Sequence, residues 1–363
     1  MAFRPSRYRT GDPDLDRRVL ELLEATGAEE DRDQLHEILV SGVRLAGDAT
    51  DRLDLKIVNA ALKEMRAAFK AFAPYEHIPK VTIFGSARTQ AADPLYIQTR
   101  ELARVLAEQG WMVVTGAGPG IMQAGMEGAG REHSFGVSIR LPFESGANEV
   151  IAGDTKLVSM KYFFTRKLML MKESSAFVCL PGGFGTMDET FELLTLQQTG
   201  KSEPAPIVLM DCKGDTYWRA WQRFVDDELV GRGLINPEDL NLVMITDSPE
   251  AAADEVLGFY RNYHSIRWVG DRLVIRLRGE PTDDELEQLN SRFGDVCSAG
   301  RIERTEPLPP EVTDQDHLEL PRIAMHFNQW RIGRLNGLVR AINSLASTPE
   351  LPAMATERVD PTA

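Results

Sequence analysis

The chain has 363 residues, enough for about two domains, and its 43% hydrophobic and 26% charged residues are typical of a soluble globular protein. Its 41 basic and 55 acidic side chains give a formal net charge of −14, which argues against general binding to nucleic acid or to an anionic membrane. The three cysteines have no CxxC spacing, so we expect no disulfide or zinc framework, and without a signal peptide or membrane span we expect a cytoplasmic location.

The N-terminal part of the chain, residues 1–75, is predicted to contain a mobile arm followed by helices. These helices are expected at about residues 14–26, 31–46 and 51–73. The last has the clearest amphipathic pattern, because apolar residues recur at spacings of three and four from Leu55 to Phe69. We expect these helices to cover a sheet or to form an oligomer contact, and we assign no chemistry to them.

Residues 76–262 alternate between short apolar runs and helical patterns. Strands are predicted near residues 80–84, 111–114, 135–139, 155–158, 176–180, 205–211 and 242–245. Helices are predicted near residues 94–109, 121–128, 159–173, 217–229 and 249–260, with one more after Gly185. Strands that alternate with helices indicate a parallel sheet. We therefore predict an α/β fold: a doubly wound parallel sheet (Rossmann-like) with N-terminal helices and a small C-terminal α+β appendage.

The pattern changes after residue 262. Residues 263–346 are predicted to form the appendage, which begins with a hairpin about Gly270–Asp271. A helix near 283–293, strands near 301–306 and 317–327, and a helix at 328–345 complete it. Residues 347–363 are rich in proline and are predicted to be a disordered tail.

The segment Ala176–Glu189 combines a strand, a glycine turn and the start of a helix. A Pro-Gly-Gly sequence ends the strand, because proline lacks the ladder donor and glycine permits positive φ. Thr186 and Glu189, three residues apart, then predict a capping box. Free backbone N–H groups at such a helix N-terminus favour an anion, most often a phosphate.

Two similar turns precede this one, so that glycine-bearing turns occur at Gly85–Ser86, Thr115–Gly120 and Pro181–Thr186. Any one of them could serve only to connect a strand to a helix. Together they favour a nucleotide or another phosphate ligand at the carboxyl edge of the sheet, where the strand order reverses. Neither the dinucleotide fingerprint nor a phosphate-loop Gly-Lys-Ser/Thr is present.

A basic stretch lies between the second and third turns. Thr155–Lys172 contains basic residues and no acidic ones. If Ser159 caps a helix, Arg166 and Lys167 both lie among apolar side chains at spacings of three and four. The two cations could reach the solvent from a surface helix. We favour a second interpretation, in which one binds a phosphate and the other pairs with a carboxylate, because buried cations need partners.

The Pro181–Glu189 sequence, with Arg166-Lys167 upstream, resembles the signature of the lonely guy family. Members are nucleoside 5′-monophosphate phosphoribohydrolases known for releasing active cytokinins. Four further segments are similar to family segments: Gly85–Ser86, Gly116–Met122, Ile139–Glu144 and Gln197–Gly200. The resemblance covers about residues 76–262.

This resemblance implies a catalytic pair, Arg166 and Glu189, and a phosphate cradle at Gly183–Thr186. The substrate-binding residues that it implies are Gly85, Ser86, Gly116, Gly118, Gly120, Met122, Arg140, Lys167, Gly182, Gly183, Gly185 and Thr186. It also implies a homo-oligomer (a dimer or larger), a small-molecule nucleotide substrate and no cofactor or metal, and we expect neither nucleic acid nor a membrane as partner. Family members are often labelled lysine decarboxylases, a label that we reject because nothing here requires pyridoxal phosphate.

The expected chemistry is hydrolysis of an N-glycosidic bond through an oxocarbenium-like transition state. Glu189 is the candidate carboxylate that stabilises this cation and orients or deprotonates water, and Arg166 would keep it ionised. Glu189 could also be only a capping residue, and the two roles can coexist. The sequence identifies no group that would protonate the departing base.

The preferred base and two rival functions stay open. Phe163-Phe164-Thr165 precedes Arg166 where plant-type members carry a Met-His pair, so AMP and cytokinin nucleotides are equally reasonable substrates. One rival function is a non-catalytic module that senses nucleotides. The other is a DNA-processing protein of related fold, against which the net charge of −14 argues.

Overall fold

The computed structural model describes residues 7–141 and 146–350. The chain divides into two compact units, with the boundary between Arg66 and Ala67. Residues 351–363 of the predicted tail and residues 1–6 of the predicted arm lie outside the described residues. Within the described ranges, no helix is long and apolar enough to cross a membrane.

The first unit is helical, as its amphipathic pattern predicts. It contains α1 (Pro13–Ala25), α2 (Arg32–Arg44) and most of α3 (Arg52–Phe72). The start of α1 is set by Asp12, whose carboxylate accepts the N–H of Asp14 at 2.8 Å and that of Leu15 at 3.3 Å. All three predicted helices are present with ends within two residues of those expected.

The second unit is built on a seven-stranded sheet in which every pair of neighbours is parallel. Its strands are β1 (Lys80–Phe84), β2 (Met112–Thr115), β3 (Ser134–Ile139), β4 (Leu157–Met160), β5 (Ala176–Cys179), β6 (Ile207–Met210) and β7 (Val243–Thr246). The helices between them are α4 (Pro94–Glu108), α5 (Ile121–Ala129), α6 (Phe163–Lys172), α7 (Phe184–Gln198), α8 (Tyr217–Phe224) and α9 (Pro249–Gly258). Four of the strands, β1, β2, β5 and β6, are buried along their whole length, as expected for a parallel sheet covered on both faces.

The strand order is β4-β3-β2-β1-β5-β6-β7. The chain therefore winds outward from β1 to β4, returns to the centre, and winds outward again from β5 to β7. The order reverses between β1 and β5, and a crevice opens there at the carboxyl ends of the strands. This confirms the predicted Rossmann-like, doubly wound fold.

The appendage begins with the predicted hairpin. Its elements are β8 (Tyr263–Val269), β9 (Arg272–Leu277), α10 (Asp283–Phe293), β10 (Cys297–Arg304), α11 (Pro309–Asp314), β11 (Arg322–Phe327) and α12 (Ile332–Asn343). The strands form an antiparallel sheet in the order β10-β11-β9-β8. Gly270 makes the hairpin turn with φ of 62°. The short helix α11 is not predicted by the sequence pattern.

One predicted helix boundary is wrong. Ser159 was expected to cap the helix that carries Arg166, but it lies within β4, opposite Ser138 of β3. The helix begins four residues later, at Phe163. Leu157–Met160 continue the sheet, because their backbone groups pair with those of Gly136–Ile139 in β3.

Candidate active site

A cleft of about 1130 Å³ opens at the carboxyl edge of the sheet, beside the ends of β1 and β5. The turns that follow these two strands are joined, because the Ser86 N–H donates to the Pro181 carbonyl at 3.2 Å. The turn after β2 joins them, since the Ile121 N–H donates to the Ser86 carbonyl at 3.0 Å. The three glycine turns predicted to share an edge are therefore in direct contact.

Two glycines are required by this close packing. A β-carbon at Gly116 would lie 2.1 Å from Nη2 of Arg166, so only glycine leaves room for the guanidinium there. Gly120 has φ of 66°, and a β-carbon on it would lie 2.3 Å from the Ser86 carbonyl oxygen. The glycines thus let the turns and one charged side chain approach each other.

The N-terminus of α7 faces the cleft through Gly183, Gly185 and Thr186. Gly183 occupies the N-cap position, and no side chain caps the helix. The predicted capping box is therefore wrong: the helix begins at Phe184, which leaves Glu189 in its second turn. The uncapped N–H groups of the first turn, together with the helix dipole, suit an anion.

The buried ion pair of the cleft joins α6 to α7. Nη1 of Arg166 lies 3.2 Å from Oε1 of Glu189, and both residues are less than a tenth exposed. The guanidinium is also anchored to the sheet, because its Nε donates to the Val137 carbonyl at 3.0 Å. A carboxylate and a cation are thus held in fixed positions at the wall of an open cleft.

Opposing effects act on the Glu189 carboxyl. Burial raises its pKa, while the nearby charges of Arg166 and Lys167 lower it, and the net result is a pKa raised to about 6. Asp188 and Glu192 add a smaller upward contribution by repulsion. The carboxyl is therefore ionised near neutral pH but close enough to its pKa to exchange a proton.

Most of the predicted site residues lie together. Those that line the cleft are Gly85, Ser86, Gly116, Gly118, Met122, Arg140, Arg166, Gly182, Gly183, Gly185, Thr186 and Glu189. Gly120 supports the turn without lining the cleft. Of the segment Ile139–Glu144, residues 142–144 lie outside the described residues.

Lys167, the second cation of the Arg-Lys pair, is outside the lining of the cleft. Its Nζ is 2.7 Å from Oδ2 of Asp188 and 2.6 Å from Oε2 of Glu192, and it does not line the cleft. The expectation that one cation of the Arg-Lys pair faces a phosphate and the other a carboxylate does not match this geometry, since both are paired with carboxylates.

Sequence reasoning missed Tyr217 and Phe184. Tyr217, the first residue of α8, donates its hydroxyl proton to the Gly182 carbonyl at 2.6 Å and so holds the Pro-Gly-Gly turn. Its position just after β6, on the same sheet edge, is a signal that could have identified it. Phe184 is 96% exposed at the cleft, inside the motif itself.

No group of three or more His, Cys, Asp or Glu side chains that could hold a metal ion occurs in the described part of the chain. The side chains and backbone of the cleft supply an uncapped helix N-terminus, a carboxylate and a guanidinium. This set can hold a phosphate ester while a carboxylate acts one helical turn away.

Comparison with known proteins agrees with this geometry. A family model described as a possible lysine decarboxylase matches residues 118–256. A cytokinin riboside 5′-monophosphate phosphoribohydrolase of Mycobacterium tuberculosis is 29% identical over 175 residues, which are 45% of this chain and 87% of the relative. A probable enzyme of the same name from Oryza sativa is 26% identical over 43% of this chain, and the match spans only 63% of the rice protein.

A third relative, from Arabidopsis thaliana, is named a probable cytokinin riboside 5′-monophosphate phosphoribohydrolase. It is 30% identical to this chain over 148 residues, which are 40% of this chain and 70% of the relative. The range that the family model matches, residues 118–256, contains the Pro181–Thr186 turn and the Arg166–Glu189 pair. The chain belongs to the lonely guy family of cytokinin riboside 5′-monophosphate phosphoribohydrolases.

Proposed function

We propose that this protein hydrolyses the N-glycosidic bond of nucleoside 5′-monophosphates, releasing the free base and ribose 5-phosphate. The observation that carries the proposal is the buried Arg166–Glu189 pair beside the uncapped start of α7, in one cleft. The names of the relatives support the same reaction.

The spacing along α7 suits a 5′-nucleotide. The proposed phosphate site is the first turn of the helix, at Gly183–Thr186, and Glu189 follows one turn later on the same face. One turn of helix rises about 5.4 Å. A phosphate bound at the first turn would leave the ribose beside the Glu189 carboxylate, where the glycosidic bond breaks.

In the proposed reaction, the electron pair of the C1′–N bond departs with the base, and positive charge develops on the ribose. The Glu189 carboxylate stabilises that charge and accepts a proton from the water that attacks C1′. The departing base takes one proton from the solvent, and Glu189 returns its proton to the solvent. Arg166 favours the ionised form of Glu189 and, through its bond to Val137, fixes the direction of the pair. Neither step requires a cofactor.

For the base we propose adenine or a modified adenine, so that AMP and cytokinin riboside 5′-monophosphates are the first substrates to test. Apolar side chains of the cleft, including Met122, Leu157 and Phe163, offer surfaces against which a flat base can pack. We also propose that the protein is a cytoplasmic homo-oligomer without a metal and that Arg140 and the cleft glycines contact the substrate.

The test is direct. Purified protein is incubated with AMP, a cytokinin riboside 5′-monophosphate, GMP, CMP and UMP, and free base and ribose 5-phosphate are quantified by chromatography. We expect equal amounts of the two products from at least one adenine nucleotide. Binding of AMP without release of base from any substrate would instead identify a nucleotide-sensing module.

A further inference from the structure

A second cavity, of about 840 Å³, lies at the opposite edge of the sheet. Lys80, Trp111 and Ser175 line it, and they lie at or just before the amino ends of β1, β2 and β5. Other parts of the wall come from the end of α3, the end of α6, α9 and the segment before β1, and from His264 and Arg278 of the appendage. In a parallel sheet the amino and carboxyl ends of the strands lie at opposite edges, so this cavity is separate from the catalytic cleft.

Lys80 is a buried cation that lacks a carboxylate partner. It is 3% exposed, and its Nζ donates to the carbonyls of Tyr75 at 2.6 Å and Ile78 at 2.9 Å. These two bonds use two of the three N–H donors of an ammonium group. Among the described residues Lys80 has no ion pair, and burial lowers its pKa more than the nearby charges of Glu173 and Glu76 raise it. A buried charge of this kind is stabilised when a counter-ion lies beside it.

Aromatic side chains form much of the wall of this cavity. Those that line the cavity are Phe69, Phe72, Trp111 and Tyr260. The rings of Trp111 and Tyr260 lie 6.2 Å apart at their centroids. The Tyr260 hydroxyl donates to the Ser175 carbonyl at 2.6 Å. Because its hydroxyl is engaged in this bond, Tyr260 can contact a ligand through its aromatic ring.

The charges at the rim favour an anion only slightly. Lys172 and Arg278 line the cavity with Lys80, against the carboxylates of Glu76 and Glu173. Lys172 pairs with Glu173 at 2.8 Å. His264 is neutral at pH 7, because burial and nearby cations lower its pKa to about 4. The balance of three cations and two carboxylates suits a ligand with one negative charge.

We propose that this cavity is a second ligand site, which takes a small molecule made of a flat apolar ring system and one anionic group. The anionic group lies against the Lys80 ammonium, and the ring packs on Trp111 and Tyr260. The cavity volume is within the range of known small-molecule sites, about 300–1,000 Å³. The proposal does not depend on the hydrolase activity, because its test measures binding.

The test uses isothermal titration calorimetry on the full-length protein with 2-naphthoate and its neutral isostere 2-naphthamide. We expect saturable binding of one naphthoate per chain, at least tenfold tighter than naphthamide. Lys80→Met should weaken naphthoate at least tenfold and leave naphthamide unchanged, since it removes the charge and keeps an apolar side chain of similar length. Lys201→Met, at an exposed lysine outside the cavity, is the matched control and should change neither.

A second variant keeps the test decisive if Lys80→Met does not fold. Arg278 is exposed at the rim, so Arg278→Gln should fold and should weaken naphthoate severalfold. Unchanged naphthoate affinity in either folded variant overturns the proposal. Absence of saturable binding up to millimolar naphthoate also overturns it, as does displacement of naphthoate by AMP, which would place the probe in the catalytic cleft.

Discussion

At the scale of single residues, Glu189 has a structural role, and we propose that it has a chemical one as well. The carboxylate is buried and is paired with Arg166 at 3.2 Å, an arrangement that by itself could serve only to join α6 to α7. Its pKa of about 6 and its place in the cleft wall are what a catalytic acid or base requires. A substitution that removes the charge of Glu189 distinguishes the structural role from the catalytic one.

Glu189→Gln should fold and bind AMP but lose most of its activity. Glutamine can still accept the hydrogen bond of Arg166, but it has no charge to stabilise the ribose cation and cannot accept a proton. We expect kcat to fall about 10²–10³-fold, equivalent to about 3–4 kcal/mol of barrier. The measurement is steady-state release of base, with circular dichroism to check the fold.

Glu192→Gln is the matched control for that substitution. Glu192 lies one turn further along α7, pairs with Lys167 and does not line the cleft, so its neutral variant should keep nearly full activity. Near-wild-type kcat in Glu189→Gln would show that Glu189 only joins the two helices and that the catalytic group lies elsewhere.

The decline of activity at low pH should reflect protonation of the Glu189 carboxyl. The pKa of Glu189 is raised from 4.5 to about 6, so protonation removes the active carboxylate already below about pH 6. We expect kcat/KM to decline below about pH 6 rather than near pH 4.5. Lys167→Met should move this decline to higher pH, because the charge of Lys167 lowers the pKa of Glu189.

A pH–rate series on wild type and Lys167→Met checks this expectation. Lys167 does not line the cleft, so its replacement alters the charge around Glu189 without removing a cleft side chain. A decline that stays at the same pH in the variant would separate the titrating group from Glu189.

A substitution at Gly116 tests whether activity depends on the position of the Arg166 guanidinium. A β-carbon at this residue would lie 2.1 Å from Nη2 of Arg166, so Gly116→Ala must displace the arginine. Misplacement by about 1 Å can cost about 10²-fold in rate, and we expect a loss of that order in kcat/KM. Gly146→Ala is the control, because Gly146 lines the same cleft with nothing within 4 Å of its β-carbon. Equal activity of the two variants would contradict a positioning role for Arg166.

At the scale of elements, α7 carries both halves of the proposed chemistry. Its uncapped first turn faces the cleft, and Glu189 follows in the second turn. Tyr217 of α8 holds the turn before it through Gly182. The relative positions of the anion site and the carboxylate are therefore set by one rigid helix rather than by separate loops.

We accordingly expect kcat/KM to depend strongly on whether the substrate carries a 5′-phosphate. Hydrogen bonds to a charged group contribute about 1.5–3 kcal/mol each, so several of them at the α7 N-terminus should favour AMP over adenosine by at least about 10²-fold in kcat/KM. Parallel assays of base release from AMP and adenosine give this ratio. Equal values for the two substrates would refute the phosphate site at Gly183–Thr186.

At the scale of the whole second unit, buried polar contacts join α12 of the appendage to α7 and to the segment between α9 and β8. The Asn343 side chain accepts the N–H groups of Asn262 and Tyr263, each at 2.8 Å. Asn336 of α12 donates to Oε1 of Gln197, near the end of α7, at 3.1 Å. The appendage therefore supports the helix that carries Glu189, while its residues lie outside the lining of the catalytic cleft.

Asn336→Ala should lower stability more than activity. It leaves the buried Oε1 of Gln197 without that donor, a loss of about 1–3 kcal/mol. In a unit of this size each 1 kcal/mol lowers Tm by about 2–4 °C, whereas kcat for AMP should stay within about twofold. Thermal unfolding and base release give the two values, with exposed Asn241→Ala as the control. A large fall in kcat without a change in Tm would contradict a purely supporting role.

The sequence by itself determined the features that depend on residues close together in the chain. Strands and helices alternate with clear apolar periods, so the order of elements and the parallel sheet could be predicted. The three glycine turns follow strands that all point the same way, so their meeting at one edge follows from the topology. The need of a buried cation for a partner predicts a carboxylate for one of Arg166 and Lys167, and the family resemblance pairs Arg166 with Glu189.

Only the tertiary structure decided what depends on neighbours distant in sequence. Ser159 is in a strand because β3 lies beside it. Glu189 is not a capping residue because α7 begins at Phe184, which leaves Glu189 in the second turn, where it pairs with Arg166. Lys167 turns to Asp188 and Glu192 because α7 packs against α6. The cavity around Lys80 requires the appendage to meet the amino edge of the sheet. No local pattern encodes such contacts, since they form only when separate elements pack together.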